Sequence, residues 1–211
     1  MTDVSTERLL GVGVAVVHGP DMPVFREGDA SHAVYVVVRG AVRIEVGTPT
    51  GDRLVLAMKG PGELVGELGA LDGRPRSASA VTVGKVELRQ ISVAEFLDAL
   101  ERDGPLAVQL LRLLSAELRA SDDRTANRRS ADVATRVARC LCELADRFGE
   151  HNARAASVEL QLTQDDLAGW VGATREATAR ALRRFRDDGC VRTGRGRLTV
   201  VDLDCLRTHA V

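Results

Sequence analysis

The spacing of the apolar residues changes along this chain, and the changes decide what it can fold into. From Val24 to about Ile91 they come in short runs: Tyr35-Val36-Val37-Val38, Ala41 to Val46, Arg53 to Met58, Ser79 to Val83 and Val86 to Ile91. Gly and Pro punctuate these runs at Gly28-Asp29, Arg39-Gly40, Thr48 to Asp52, Gly60-Pro61-Gly62 and Asp72-Gly73. Many short strands at regular spacing predict an antiparallel barrel or sandwich. At Ser92 the period lengthens. Ser92-Val93-Ala94-Glu95 is a capping-box pattern opening a short helix to about Leu100. Leu106, Leu110, Leu113, Leu114 and Leu118 then form a stripe at helical spacing, on a helix starting near Gly104-Pro105. Residues 119–132 are almost wholly polar, so a helix continuing into them is exposed or paired with a partner. Ser130-Ala131-Asp132 reads as a hinge, and Asp132 can cap a new helix carrying Val133, Val137, Leu141 and Leu144. From Ser157 onward a short strand, two helices with a tight turn and a strand pair are expected. The result is an α+β chain in three parts: a jelly-roll-like β-barrel over 1–102, a long helix over 103–131, and a winged helix-turn-helix over 132–211.

Composition narrows the function. The chain has 211 residues and a formal net charge of -1, so its overall charge does not advertise a polyanion partner. Aromatics are scarce at 3%, which leaves a core of Val, Leu, Ala and Ile. No run of 18 apolar residues occurs and the polar start is no signal peptide, so no membrane association and a cytoplasmic location are expected. The four cysteines, Cys140, Cys142, Cys190 and Cys205, read as buried reduced thiols. His18, His32, His151 and His209 form no ligand pattern with them, so no metal is expected. No catalytic dyad, nucleophile or metal site appears, which argues against an enzyme.

The last sixty residues concentrate positive charge. Thr163-Gln164-Asp165-Asp166 can cap a helix, and Gly172 can take the left-handed conformation that stops it. Thr174 caps a second helix from Arg175 to about Asp187. Between Thr174 and Arg197 eight arginines face three acids. The second helix is therefore the reader of a helix-turn-helix. Arg175, Glu176 and Arg180 lie along one side of its first turn and a half. Arginine matches the O6/N7 edge of guanine, and Glu can accept from the cytosine amino group. Thr193-Gly194-Arg195-Gly196 is a Gly-rich hairpin tip suited to phosphates. Thr163, Thr174, Arg175, Glu176, Arg180, Arg183 and Arg195 are the expected contacts to double-stranded DNA. A solvated, Arg-rich helix face is the plainer reading of any one of these arginines.

Residues 62–81, GELVGELGALDGRPRSASAV, hold more glycine than a strand needs. Arg76 can give two parallel N–H bonds to phosphate oxygens. Ser77 adds a hydroxyl, Ala78 lets a ligand come close, and Gly66 permits a close backbone approach. Glu67 can accept from a sugar hydroxyl. An acid beside a phosphate-binding arginine makes sense if the ligand offers phosphate to one and hydroxyl to the other, as a nucleotide does. The alternative is a loop closed by an Arg76–Glu67 ion pair with no ligand.

This stretch resembles the phosphate-binding cassette of cyclic-nucleotide-binding domains: Gly-Glu, a short helix-turn, then Arg-Ser-Ala. Thr174-Arg175-Glu176-Ala177-Thr178-Ala179-Arg180 is similar to the recognition helix of the catabolite activator class. Together, in this order, they resemble the family of cyclic-AMP receptor protein and fumarate-nitrate regulator transcription factors. The resemblance implies cyclic AMP as effector, with Arg76, Ser77 and the Ala78 amide on the phosphate, Glu67 on the ribose 2′-hydroxyl and Gly66 in a backbone contact. It implies a homodimer through the Leu106 to Leu118 stripe, a palindromic site of the TGTGA kind, and RNA polymerase as a partner. Ser121 and Asp122 stand where adenine-binding members carry a Thr-Ser pair, so the acid departs from the pattern. The iron–sulphur sensors of the family need an N-terminal cysteine cluster, and this chain has no cysteine before Cys140. Two other readings remain: a regulator of the same architecture that senses something else or nothing, and a cyclic-nucleotide module for an enzyme or channel, which the helix-turn-helix opposes.

Overall fold

The computed structural model describes the backbone of residues 8–48, 53–130, 132–148, 158–160, 163–194 and 197–211, and their side chains except at 123–130, 158–160 and 197. The chain divides into two compact units, residues 1–46 with 56–121 and residues 47–55 with 122–211.

In the N-terminal half of the chain the strands are β1 (Val14–His18), β2 (Pro23–Phe25), β3 (Ala33–Gly47), β4 (Arg53–Lys59), β5 (Leu64–Val65) and β6 (Ser79–Ser92). They form a six-stranded sheet in the order β1-β6-β3-β4, with β2 on β6 and β5 on β3. The registered pairings are antiparallel, as a sandwich requires. The long β3 faces β6 twice, Val34 opposite Ile91 and Ile44 opposite Ala80, with a register shift between Val37 and Ala41. Gly40 sits at the shift with φ +87°, and a Cβ there would lie 2.6 Å from the Lys85 carbonyl. Only glycine fits such an approach.

The run Ala33 to Val37 is buried on both faces, which explains its unbroken hydrophobicity. Val34 and Val36 join Leu9, Ile91, Phe96, Leu106 and Leu110 in one cluster. Ala33, Tyr35 and Val37 join Val42, Ala80, Val86 and Leu88 in the other, with Phe25 against it. Phe96 is fully buried, and its burial contributes about 2–3 kcal/mol. It is carried by α2 (Val93–Arg102), which follows the short α1 (Glu67–Asp72). The capping box at Ser92 is formed: Ser92 Oγ accepts from the Glu95 amide, and Glu95 accepts from the Ser92 amide at 3.0 Å.

The helix α3 runs from Gly104 to Ser130. Its leucine stripe lies along one side, as the spacing predicts, but its first turns are taken up by the unit's own core. Leu106 and Leu110 are buried in the unit's own core, with Leu114 against it. Val108, Leu111 and Leu118 are exposed instead. Leu118, one turn beyond Leu114, is already past that core, and Leu111 and Val108 lie farther round the helix.

The second unit holds α4 (Val133–Phe148), α5 (Gln164–Val171), α6 (Arg175–Asp187) and α7 (Leu203–Thr208), with the sheet β7 (Val158–Leu160), β9 (Arg197–Val200), β8 (Val191–Gly194) in that order. Asp132 caps α4 by accepting from the Thr135 amide at 2.7 Å. Val137, Leu141 and Leu144 of α4 are buried, as are Leu167, Trp170, Leu182, Phe185 and Leu206 on the helices packed against it. Thr163 makes a full capping box with Asp166, Gly172 ends α5 at φ 63°, and Thr174 accepts from the Ala177 amide to start α6. Among the described residues no helix is long and apolar enough to cross a membrane.

Candidate functional site

Two constellations carry the chemistry, one in each unit. The first is built around Arg76. Its backbone is pinned by two bonds, the Arg76 amide to the Asp29 carbonyl and the Gly28 amide to the Arg76 carbonyl, both 2.9 Å. This fixes the residue after Pro75 and turns its side chain inward, to 5% exposure. Nη1 donates to the Gly66 carbonyl at 2.7 Å and Nη2 to the Ala33 carbonyl. The guanidinium lies 4.0 Å above the Phe25 ring, whose π face favours a cation. Nε is buried and makes no hydrogen bond.

Gly66 has φ +84° and precedes α1 in a left-handed conformation. A Cβ there would fall 2.3 Å from Arg76 Nη1 and 3.0 Å from Phe25. The position therefore demands glycine, both for its dihedral and for the guanidinium against it. Glu67, the first residue of α1, is 5% exposed. Among the described residues no ion pair joins Glu67 to Arg76; the guanidinium is bonded to main-chain carbonyls instead. Burial pushes the Glu67 carboxyl above its ordinary value; the Lys59 charge and an amide pull it back, and Glu117 adds to the rise. Lys59 is committed to an ion pair with Glu117 of α3. Burial also lowers the Arg76 guanidinium from its usual range, opposed by Tyr35, Glu67 and Asp29.

Of the residues expected to hold a nucleotide, the fold gathers Gly66, Glu67, Arg76, Ser77 and Ala78 on the segment around α1, with Ser77 exposed and Ala78 buried. Ser121 and Asp122 stand on α3, both exposed. Sequence reasoning missed Phe25, the Ala33 carbonyl and Tyr35. One signal was available: Phe25 is one of four phenylalanines in the chain, set on a strand three positions before Gly28.

The second constellation is the start of α6. Arg175, Glu176, Arg180 and Arg183 are exposed, as are Thr163 and Thr174. Arg175 Nε lies 3.5 Å from Asp165 Oδ1, with both side chains largely in solvent, a pair worth little by itself. Thr163, Asp165, Arg175, Thr193 and Gly194 line one hollow of about 310 Å³, so the first helix, the second helix and the hairpin open onto a shared surface. Ala181, Leu182 and Phe185 bury the opposite side of α6, which forces its arginines outward. Arg195 lies outside the described residues.

The cysteines need correcting. Cys140 and Cys142 are free and buried, as expected. Cys190 and Cys205 are joined in a disulfide, with Cα atoms 5.4 Å apart. His209 joins them: a ring nitrogen and the two sulfurs lie within 4.8 Å of one another, a cluster the sequence reading excluded. Their separations in sequence fit no ligand motif, and α7 brings them together by folding back on the end of α6.

Comparison with known proteins follows the same two constellations. Residues 17–103 match the cyclic nucleotide-binding domain family and residues 135–208 the Crp-like helix-turn-helix domain family. Over 191 residues the chain is 36% identical to the CRP-like cAMP-activated global transcriptional regulator of Mycobacterium tuberculosis, covering 89% of this chain and 84% of that protein. The chain belongs to the CRP/FNR family of transcription regulators. It is 33% identical to the Cyclic AMP receptor protein of Thermus thermophilus over 178 residues, 84% of this chain and 79% of that one. The structure of FixK2 from Bradyrhizobium japonicum superposes with a TM-score of 0.80 at 22% identity, over 95% of this chain and 98% of that one, and shares the fold. The chain is thus a CRP-like DNA-binding transcription regulator with a cyclic nucleotide-binding domain, in a family of regulators and not of enzymes.

Proposed function

We propose that the chain is a homodimeric regulator gated by cyclic AMP, reading a palindromic DNA site. The observation that carries this reading is Arg76. Its guanidinium is buried and bonded to two main-chain carbonyls; among the described residues it pairs with no carboxylate, and its buried Nε has no acceptor. A buried cation with a donor to spare is stabilised by an anion. A cyclic phosphate supplies one, and the buried Glu67 carboxylate supplies an acceptor for the ribose 2′-hydroxyl. Gly66, Glu67, Arg76, Ser77 and Ala78 are the proposed contacts, with Ser121 and Asp122 toward the base. The two relatives whose names carry cyclic AMP support the same effector.

Exposed Val108, Leu111 and Leu118 on α3 support a second copy of the chain as the dimer partner. The working division is a nucleotide domain over 1–102, a dimerisation helix over 103–131 and a DNA-binding domain over 132–211. Thr163, Thr174, Arg175, Glu176, Arg180, Arg183 and Arg195 would meet DNA, in the cytoplasm, with RNA polymerase as a further partner. A second reading, a regulator of this fold that senses another effector or none, draws on Asp122. An exposed carboxylate there can accept from an amino group but cannot donate to a ring nitrogen.

Calorimetric titration of the full chain with cyclic AMP, cyclic GMP and cyclic di-GMP tests the effector. Saturable binding, tightest for cyclic AMP, is expected. Tighter binding of either other nucleotide would pass the assignment to the second reading, and no binding of any would remove the cyclic nucleotide altogether.

A further inference from the structure

We propose that Cys190, Cys205 and His209 form a site for a soft divalent cation of the zinc class at the C-terminal end of α6, occupied when the two cysteines are thiols. The fold holds Cys190 and Cys205 with Cα atoms 5.4 Å apart and sets the His209 ring beside them, and two sulfurs with an imidazole nitrogen are ligand types that zinc selects, at about 2.3 Å from sulfur and 2.1 Å from nitrogen.

The three residues are delivered by different elements and each is fixed. Cys190 follows α6 directly; its amide donates to the Phe185 carbonyl at 2.8 Å, and its carbonyl accepts from the Val201 and Asp202 amides. Cys205 sits in α7, whose cap Asp202 accepts from the Cys205 amide at 2.9 Å. His209 ends α7 and its ring lies 4.9 Å from that of Phe185. Asp188 completes the arrangement. Its carboxylate lies 3.1 Å from His209 Nε2, the pairing that orients a metal-bound imidazole and leaves the other ring nitrogen for the metal. The location suits a cation. The last carbonyls of the 13-residue α6 carry the negative end of its dipole.

The disulfide and the metal site are alternatives, because both use the same sulfur electrons. A hydroperoxide converts one into the other: two thiolates, one hydrogen peroxide and two protons give the disulfide and two waters. Two electrons pass from the sulfurs into the breaking O–O bond, and the cation is released to solvent. The end of the reading helix and α7 are tied together in both forms, by a covalent bond in one and by a cation in the other.

Cobalt(II) titration of the full chain, reduced with a phosphine and desalted, tests the proposal through sulfur-to-cobalt charge-transfer absorption. The expected result is saturation at about one cobalt per chain, reversed by zinc and lost after treatment with hydrogen peroxide. Asp188→Asn should keep the sulfur band and weaken affinity about 10- to 100-fold. Cys190 is fully buried and its replacement can unfold the unit, so His209→Ala, at the half-buried edge, is the decisive variant and should lose tight binding. A reduced native chain that takes up cobalt without a sulfur band, or His209→Ala binding as tightly as the native chain, overturns the site and leaves a structural disulfide only.

Discussion

Both constellations use arginine, and they use it in opposite ways. Arg76 is drawn into the first unit, roofed by Phe25 and bonded to two carbonyls. Arg175, Arg180 and Arg183 stand in solvent on α6, Arg175 beside the equally exposed Asp165. A buried guanidinium has lost its water before any ligand arrives, so its cradle must be built and kept by the fold. A solvated one keeps its hydration until DNA displaces it, and the fold needs only to aim the helix. Damage to the cradle should therefore disturb stability and binding together, whereas damage to the reading face should disturb binding alone.

The largest effect is expected at the cradle. Arg76→Ala removes the donors to a phosphate, each charged hydrogen bond contributing about 1.5–3 kcal/mol, so cyclic AMP affinity should fall about 100-fold or more by calorimetry. The same change leaves the Gly66 and Ala33 carbonyls without their donor and should lower the melting temperature. Unchanged affinity would break the contrast at its root. On the reading face, Arg180→Ala should weaken binding to a palindromic site by about 5- to 150-fold, from about 1–3 kcal/mol for one base contact. Its melting curve should overlay that of the native chain; a shifted curve would show that this arginine, too, is structural.

Gly66→Ala sharpens the comparison without removing a charge. Its φ of +84° and the 2.3 Å approach to Arg76 Nη1 should cost about 1–3 kcal/mol of stability, read by denaturant titration. The smallest effect is a pH dependence. The Glu67 carboxyl is held above its ordinary value, chiefly by burial, so the folded chain gains stability from its protonated form, and that gain is lost as pH rises through the folded pKa. A ribose hydroxyl donates to the ionised form. Cyclic AMP affinity should then weaken by a few-fold as pH falls through the same window, and Glu67→Gln should flatten the profile. A native profile as flat as the variant's would remove Glu67 from the sugar.

What the sequence made legible was local. Ser92, Thr163 and Thr174 announce helix starts because a short hydroxyl reaches an amide three residues on. Gly172 announces a stop by its left-handed turn. The cassette around Arg76 is legible because its ligands lie within a few residues of one another. What stayed hidden depends on pairs far apart in the chain. Phe25 and Arg76 meet only because β2 pairs with β6. β1 lies outside the run of strands the sequence predicts, although Val14-Ala15-Val16-Val17 is strand-like, because its partner in β6, residues 86–90, is far along the chain. The leucine stripe of α3 shows that a helical period reveals a face but not what covers it. The short α7 and the cluster it completes with Cys190 left no motif, because 15 residues separate the two sulfurs.

The central claim is that the cradle governs the reading face. The direct test is DNA affinity of the native chain and of Arg76→Ala, each with and without cyclic AMP, at one fixed salt concentration. The account predicts that cyclic AMP tightens DNA binding of the native chain and leaves the variant unmoved. Equal tightening in both, or none in the native chain, would contradict it.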